Sequence, residues 1–302
     1  MALTLFRAKL KSASHLVGAV ISVWIDSNAS AAGAAVAFYT IFAIAPLFVL
    51  VLALAGLYFG EQAARKELFD QVAGLVGPKG ADAIQTVLAA ANRPKAGTFA
   101  TVMGLITLFV GATSVFIQLQ QSLNSIWNVR SKGAGLRHFI RNRLLSFAAL
   151  LGIGFLLLVS LIISAALAAV GKWMSGELAV EEPLWQTVDV IVSLAFITLL
   201  FAMIFKALPD VKIQWRDVWV GALITALLFT FGKFLIGFYL GRSSVASVYG
   251  AAGSFVVVLL WVYYSVQILL LGAATTRIFA NRYGSAIVPS KHAEFIGKHT
   301  AR

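Results

Sequence analysis

Six stretches of this chain stay apolar for long enough to cross a bilayer as helices: Ala32 to Gly60, Thr98 to Trp127, Leu144 to Val170, Trp185 to Phe205, Val218 to Leu240 and Gly250 to Ile278. A hydrocarbon core of about 30 Å needs about 20 residues of helix at a rise of about 1.5 Å each. Several stretches exceed that length, which implies tilt or extension beyond the lipid. Irregular backbone cannot face lipid, and no stretch alternates apolar and polar residues as a barrel strand would. The pattern therefore predicts an all-α, polytopic bundle of six transmembrane helices spanning residues 32–280.

The segments between the apolar stretches are patterned too. Before the first span, Phe6, Leu10, Val17, Val20, Ile21 and Trp24 recur at steps of three or four beside Arg7, Lys9 and Lys11. Residues 1–31 thus read as an amphipathic helix, lying on the membrane surface or packing against the bundle. They lack the continuous apolar core of a cleavable signal peptide. The longest connection, residues 61–97, holds two amphipathic stretches, marked by Leu68, Val72 and Leu75 and by Ile84, Val87 and Leu88. Gly77-Pro78-Lys79-Gly80 separates them, so this insertion is expected to form a small helical cap outside the membrane. Pro209 ends the fourth span, and the polar tail, residues 281–302, is expected to be loosely ordered.

Composition sharpens the picture. Hydrophobic residues make up 60% of the 302 and charged residues only 12%, too little polar cover for a soluble fold. With the N-terminus inside, the inner segments hold 16 Lys and Arg and the outer segments 7, which puts both termini in the cytoplasm. Trp127, Trp173, Trp185, Trp215 and Trp219 fall near span ends, where indoles favour the interface. The net charge of +12 sits in clusters beside the spans, pointing to orientation and anionic lipid on the cytoplasmic face rather than nucleic acid. A bacterial cytoplasmic (inner) membrane fits this distribution, and homo-oligomerisation stays open.

Candidate chemistry is sparse. The chain has no cysteine, and His15, His138, His292 and His299 show no metal-ligand spacing. The spans hold one acidic residue, Asp189, and no nucleotide-binding glycine motif precedes a helix. No catalytic group, metal or cofactor is expected, and hydrolysis of phosphodiesters lacks its carboxylate and histidine ligands. The second span carries Ser114, Gln118, Gln121 and Ser125 along one helical stripe, with Asn124 close by. Such a stripe lines a pathway or hydrogen-bonds between helices. Lys233, the basic residue well inside a span, shares a face with Thr230 and Gly237, and it either lines a polar crevice or snorkels to the interface. Pro46 is a candidate kink in the first span, as part of a gate or as a static bend. Gly237 and Gly241 have the spacing of a close helix-packing motif. Arg130, Arg137, Arg141 and Arg143, with Lys132, form a basic inner connection that holds lipid phosphates or simply sets topology.

Several ordered motifs carry a family resemblance: Gly33-Ala34-Ala35-Val36-Ala37-Phe38-Tyr39-Thr40 and onward to Pro46-Leu47, Leu123-Asn124-Ser125-Ile126-Trp127-Asn128-Val129-Arg130, Leu208-Pro209-Asp210, Trp215-Arg216-Asp217, Gly232-Lys233, Tyr249-Gly250, Leu259-Leu260-Trp261-Val262-Tyr263-Tyr264, and Leu269-Leu270-Leu271-Gly272-Ala273. Through these the chain resembles the YihY/BrkB membrane proteins, once labelled ribonuclease BN, over nearly its whole length. The resemblance implies a six-helix inner-membrane protein, and some members of the family are linked to serum resistance or envelope lipid traffic. It also implies a glutamate after Ala273, where this chain has Ala274. A carboxylate there that neutralised Lys233 or handled protons would be missing. The function expected is transport or lipid handling across the envelope, with its substrate open; the alternative is a non-catalytic envelope scaffold.

Overall fold

A computed structural model describes residues 15–76, 82, 85, 98–132, 182–242, 253–285 and 287–296. Its helices are α1 (His15–Asp26), α2 (Ala29–Phe59), α3 (Glu61–Val76), α4 (Thr98–Ile126), α5 (Glu182–Ala207), α6 (Trp215–Arg242) and α7 (Gly253–Tyr283). Five of these coincide, to within a few residues at each end, with predicted spans. The third predicted span, Leu144 to Val170, lies outside the described residues, as does most of the second half of the predicted cap. Among the described residues three helices are long and apolar enough to cross a membrane, or four if α1 and the start of α2 form one bent span.

Local chemistry sets the helix ends. α1 and α2 meet at 58°, with Asn28 in the left-handed region at φ 51°. Asparagine tolerates that conformation better than most residues, so the break falls at Ser27-Asn28. α2 remains helical through Pro46 to Phe59, and Gly60 ends it at φ 78° with its N–H bonded to the Gly56 carbonyl. α1 turns Val20, Val23 and Trp24 onto the core and leaves Val17, Ile21 and Ile25 exposed. Of the apolar stripe expected from the sequence, Val20 and Trp24 thus meet the core while Val17 and Ile21 are exposed, and Phe6 and Leu10 lie outside the described residues.

α4 packs on α2, α2 on α7, α7 on α6, and α6 on α5, while α3 folds back against α2. The α6–α7 seam is antiparallel and depends on absent side chains. A Cβ at Gly221 would lie 1.7 Å from Thr276 Oγ1, and one at Gly272 would lie 1.9 Å from Thr225 Oγ1. Each threonine donates to the carbonyl of the glycine one turn earlier in its own helix, at 2.7 Å for Thr225 and 2.8 Å for Thr276. Both hydroxyls are thus satisfied without water while the backbones approach closely. Gly221 and Gly272 are the close-packing glycines of this seam.

The chain after α7 corrects the expectation of a loose tail. β3 (Val288–Pro289) pairs with β2 (Val211–Lys212), and β4 (Ala293–Phe295) pairs with β1 (Val129–Ser131), both antiparallel. The segments following α4 and α5 offer unpaired backbone groups, and the tail satisfies them. Trp127 is a second correction. It is 1% exposed, packed with Leu123, Ile126, Phe205 and Leu270 in the core, so its indole faces protein and not lipid headgroups. Trp215 and Trp219, at 49% and 44%, keep the exposure expected of interfacial indoles.

Candidate functional site

The described polar groups converge where α2 begins, α4 and α5 end, α6 begins and α7 ends. Gln120 and Asn124 lie one turn apart on α4 and so share a face. Asn124 Nδ2 donates to Asp210 Oδ2 at 2.9 Å, and the Asp210 N–H donates back to Asn124 Oδ1 at 2.8 Å. Gln120 Nε2 reaches the other carboxylate oxygen at 3.4 Å, and the Ser290 N–H donates to the Asp210 carbonyl at 2.9 Å. One short loop residue therefore joins α4, the α5–α6 turn and the tail.

Further clamps complete this polar collar. Asp217, in the first turn of α6, is 2% exposed and accepts from the Ser285 N–H at 3.0 Å and its hydroxyl at 2.9 Å. A carboxylate at a helix N-terminus also interacts favourably with the helix dipole. A side chain at Gly284 would collide with it, since a Cβ there falls 2.4 Å from the carboxylate oxygens. Arg277 on α7 donates to the Ile126 carbonyl, capping the open end of α4. Lys206 donates to the Ile213 carbonyl. Ser125 Oγ donates to the Ser27 carbonyl at 3.3 Å, and Ser27 Oγ reaches the Ser125 carbonyl at 3.4 Å.

The residues singled out in the sequence do not form one environment. Ser114 and Gln118 are half-buried, Gln121 is exposed, and Ser125 is engaged at the α1–α2 elbow. Asn124, adjacent to the stripe, is the buried member. α4 packs on α2 and α7, whereas α6, which carries Lys233, packs on α5 and α7. Lys233 is half-buried, its Nζ 5.7 Å from the Phe234 ring centroid, on a helix whose Phe231, Phe234, Leu235 and Phe238 are exposed. Arg130 forms a 2.8 Å ion pair with Glu294, while Arg137, Arg141 and Arg143 lie outside the described residues.

Ala274 is fully buried in the core. The turn of α7 that meets Gly232 is at Tyr264 and Ile268, so position 274 lies about 10–15 Å along the helix from the level of Lys233. Its neighbour one turn on is Arg277. A carboxylate at this position would therefore sit nearer Arg277 than Lys233.

Sequence reasoning missed Gln120, Arg277 and Ser285, and it noted Asp210 and Asp217 only within motifs. Asn124 and Asp210 are 86 residues apart in the chain, and no local periodicity links them. The signal within reach was Leu208-Pro209-Asp210, an acidic residue just past a proline helix stop. Chemically, the collar joins carboxylates to amides, hydroxyls and backbone N–H groups. Among the described residues no three His, Cys, Asp or Glu side chains gather in a way that could hold a metal ion.

Comparison with known proteins gives a consistent answer. Residues 20–296 match the family model described as virulence factor BrkB. A UPF0761 membrane protein of Ralstonia nicotianae is 32% identical over 57% of this chain and 38% of its own length. UPF0761 membrane proteins of Pseudomonas paraeruginosa and Xanthomonas campestris are 25% and 26% identical, each over 83% of this chain and over 59% and 57% of their own lengths. The chain thus spans less than two thirds of the curated relatives it matches. No solved structure matches it.

Proposed function

From the premise that this chain belongs to the BrkB family of membrane proteins, we propose that it is a six-crossing, non-catalytic protein that handles a lipid or solute across the cytoplasmic membrane. Parity supports the crossing number. The collar gathers the start of α2, the ends of α4 and α5, the start of α6 and the end of α7. The chain that leaves the collar after β1 must therefore reach the opposite end before α5 begins. A sixth crossing between residues 132 and 182 meets that need, and the Leu144 to Val170 stretch is apolar enough to supply it. Charge bias supports a cytoplasmic side for the collar and both termini.

Lys233 carries the functional reading. Trp219 and Tyr239, both exposed, are 20 residues apart on α6, or about 30 Å, the depth of a hydrocarbon core. Lys233 falls between them, half-buried beside the exposed Phe231, Phe234, Leu235 and Phe238, and an ionisable group at membrane depth is a functional candidate by default. Lys233→Met keeps a long flexible stem and removes the charge. In proteoliposomes the variant is expected to move headgroup-labelled phosphatidylglycerol at least about tenfold more slowly than the wild-type chain, at unchanged thermal stability. Equal flux in the two proteins would remove Lys233 from the function. A second reading, a non-catalytic envelope scaffold, is favoured by the tightly interlocked α6–α7 seam, and it would then take first place.

A further inference from the structure

The five charged residues between Lys206 and Asp217 divide by sign. Both acids turn inward: Asp210 to Asn124 and Gln120, and Asp217 to Ser285. Two of the three cations face the other way. Lys212 on β2 and Arg216 in the first turn of α6 are exposed, and Lys206 Nζ lies 5.5 Å from the centroid of the Trp215 ring. Trp215 and Trp219 stand beside them, half-exposed, with ring centroids 6.5 Å apart. Hydrogen bonds thus tie both carboxylates to the collar, and the exposed Lys212 and Arg216 form a positive patch at the depth indoles prefer.

We propose that this turn binds the headgroup of an anionic phospholipid, with Lys212 and Arg216 on the phosphate and with Trp215 and Trp219 against the glycerol and upper acyl region. Charge complementarity selects the headgroup, and the paired indoles select a ligand that continues into hydrocarbon. This site rests on the preceding reading only for the placement of α6 in a bilayer. It differs from the basic connection after α4, whose Arg130 is already held by Glu294.

Native mass spectrometry of the full chain in detergent, titrated with phosphatidylglycerol or phosphatidylcholine, tests the assignment. The wild-type chain is expected to retain phosphatidylglycerol in clear preference. Lys212→Gln with Arg216→Gln should lower that retention at least about fivefold, since each basic residue near an anionic surface contributes about that factor. Lys212→Arg with Arg216→Lys should keep the retention, and so should Arg130→Gln. Equal retention of the two lipids by the wild-type chain would overturn the proposal, as would a glutamine pair that retains phosphatidylglycerol as well as the wild-type chain does. If the glutamine pair loses its fold, Arg216→Gln alone is judged by the same two outcomes. Lys233→Met should leave headgroup retention intact, so this site and the transport reading fail separately.

Discussion

Asn124 uses its amide in both directions, donating to the Asp210 carboxylate and accepting from the Asp210 backbone. Few side chains satisfy a buried loop so completely with so few atoms. Asn124→Ala removes both bonds and leaves the half-buried Asp210 carboxylate short of a donor, at a cost of about 1–3 kcal/mol. The melting temperature in detergent should fall accordingly. Gln121→Leu, at an exposed site three residues earlier, should shift it very little. The reverse order of these two effects would show that the collar does not depend on this amide. The helical periodicity of the second span revealed that polar groups cluster there, but periodicity reports only which residues share a face. The choice of Asn124 over Gln121 was made by Asp210, 86 residues away, a partner that local patterning cannot register.

At the scale of elements, apolar length was the most legible signal. It placed five described helices to within a few residues, because lipid admits few other structures for such runs. It said much less about how helices meet. Gly221 and Gly272 seat Thr276 and Thr225 by having no side chain, and in sequence they resemble the other small residues around them. Gly221→Ala should strain the seam by about 1–3 kcal/mol, the usual penalty of overpacking. Adding Thr276→Gly should recover part of that loss, giving a coupled pair in a double-mutant cycle of thermal stabilities. Strict additivity would mean that the two residues do not meet. Gly18→Ala is the contrast, since nothing lies within 4 Å of a Cβ there. It should be neutral or stabilising by up to about 1 kcal/mol, as alanine favours helix over glycine. The strands were invisible in the sequence because two- and three-residue pairings carry no periodic signal.

For the whole molecule, charge bias and connectivity together predict sidedness. The chain has no native cysteine, so single cysteines can be introduced and challenged with an impermeant reagent in intact cells. Positions near Lys79 and Glu181 should label from outside, and positions near Lys132 and Lys291 should label only after lysis. The inverse pattern would overturn the orientation, and labelling of Lys132 and Lys291 from opposite sides would contradict the collar itself. The collar also imposes an order on biogenesis. β3 and β4 follow α7 in the chain, so the residues that tie off α4 and the α5–α6 turn leave the ribosome only after every described helix has been made. During translation Asp210, β2 and β1 must wait in a half-finished state, with backbone groups that water or the insertion machinery has to satisfy. Closing the collar is thus a late event in synthesis, and a chain interrupted just beyond α7 would carry all of its described helices without the strands that lock their ends together.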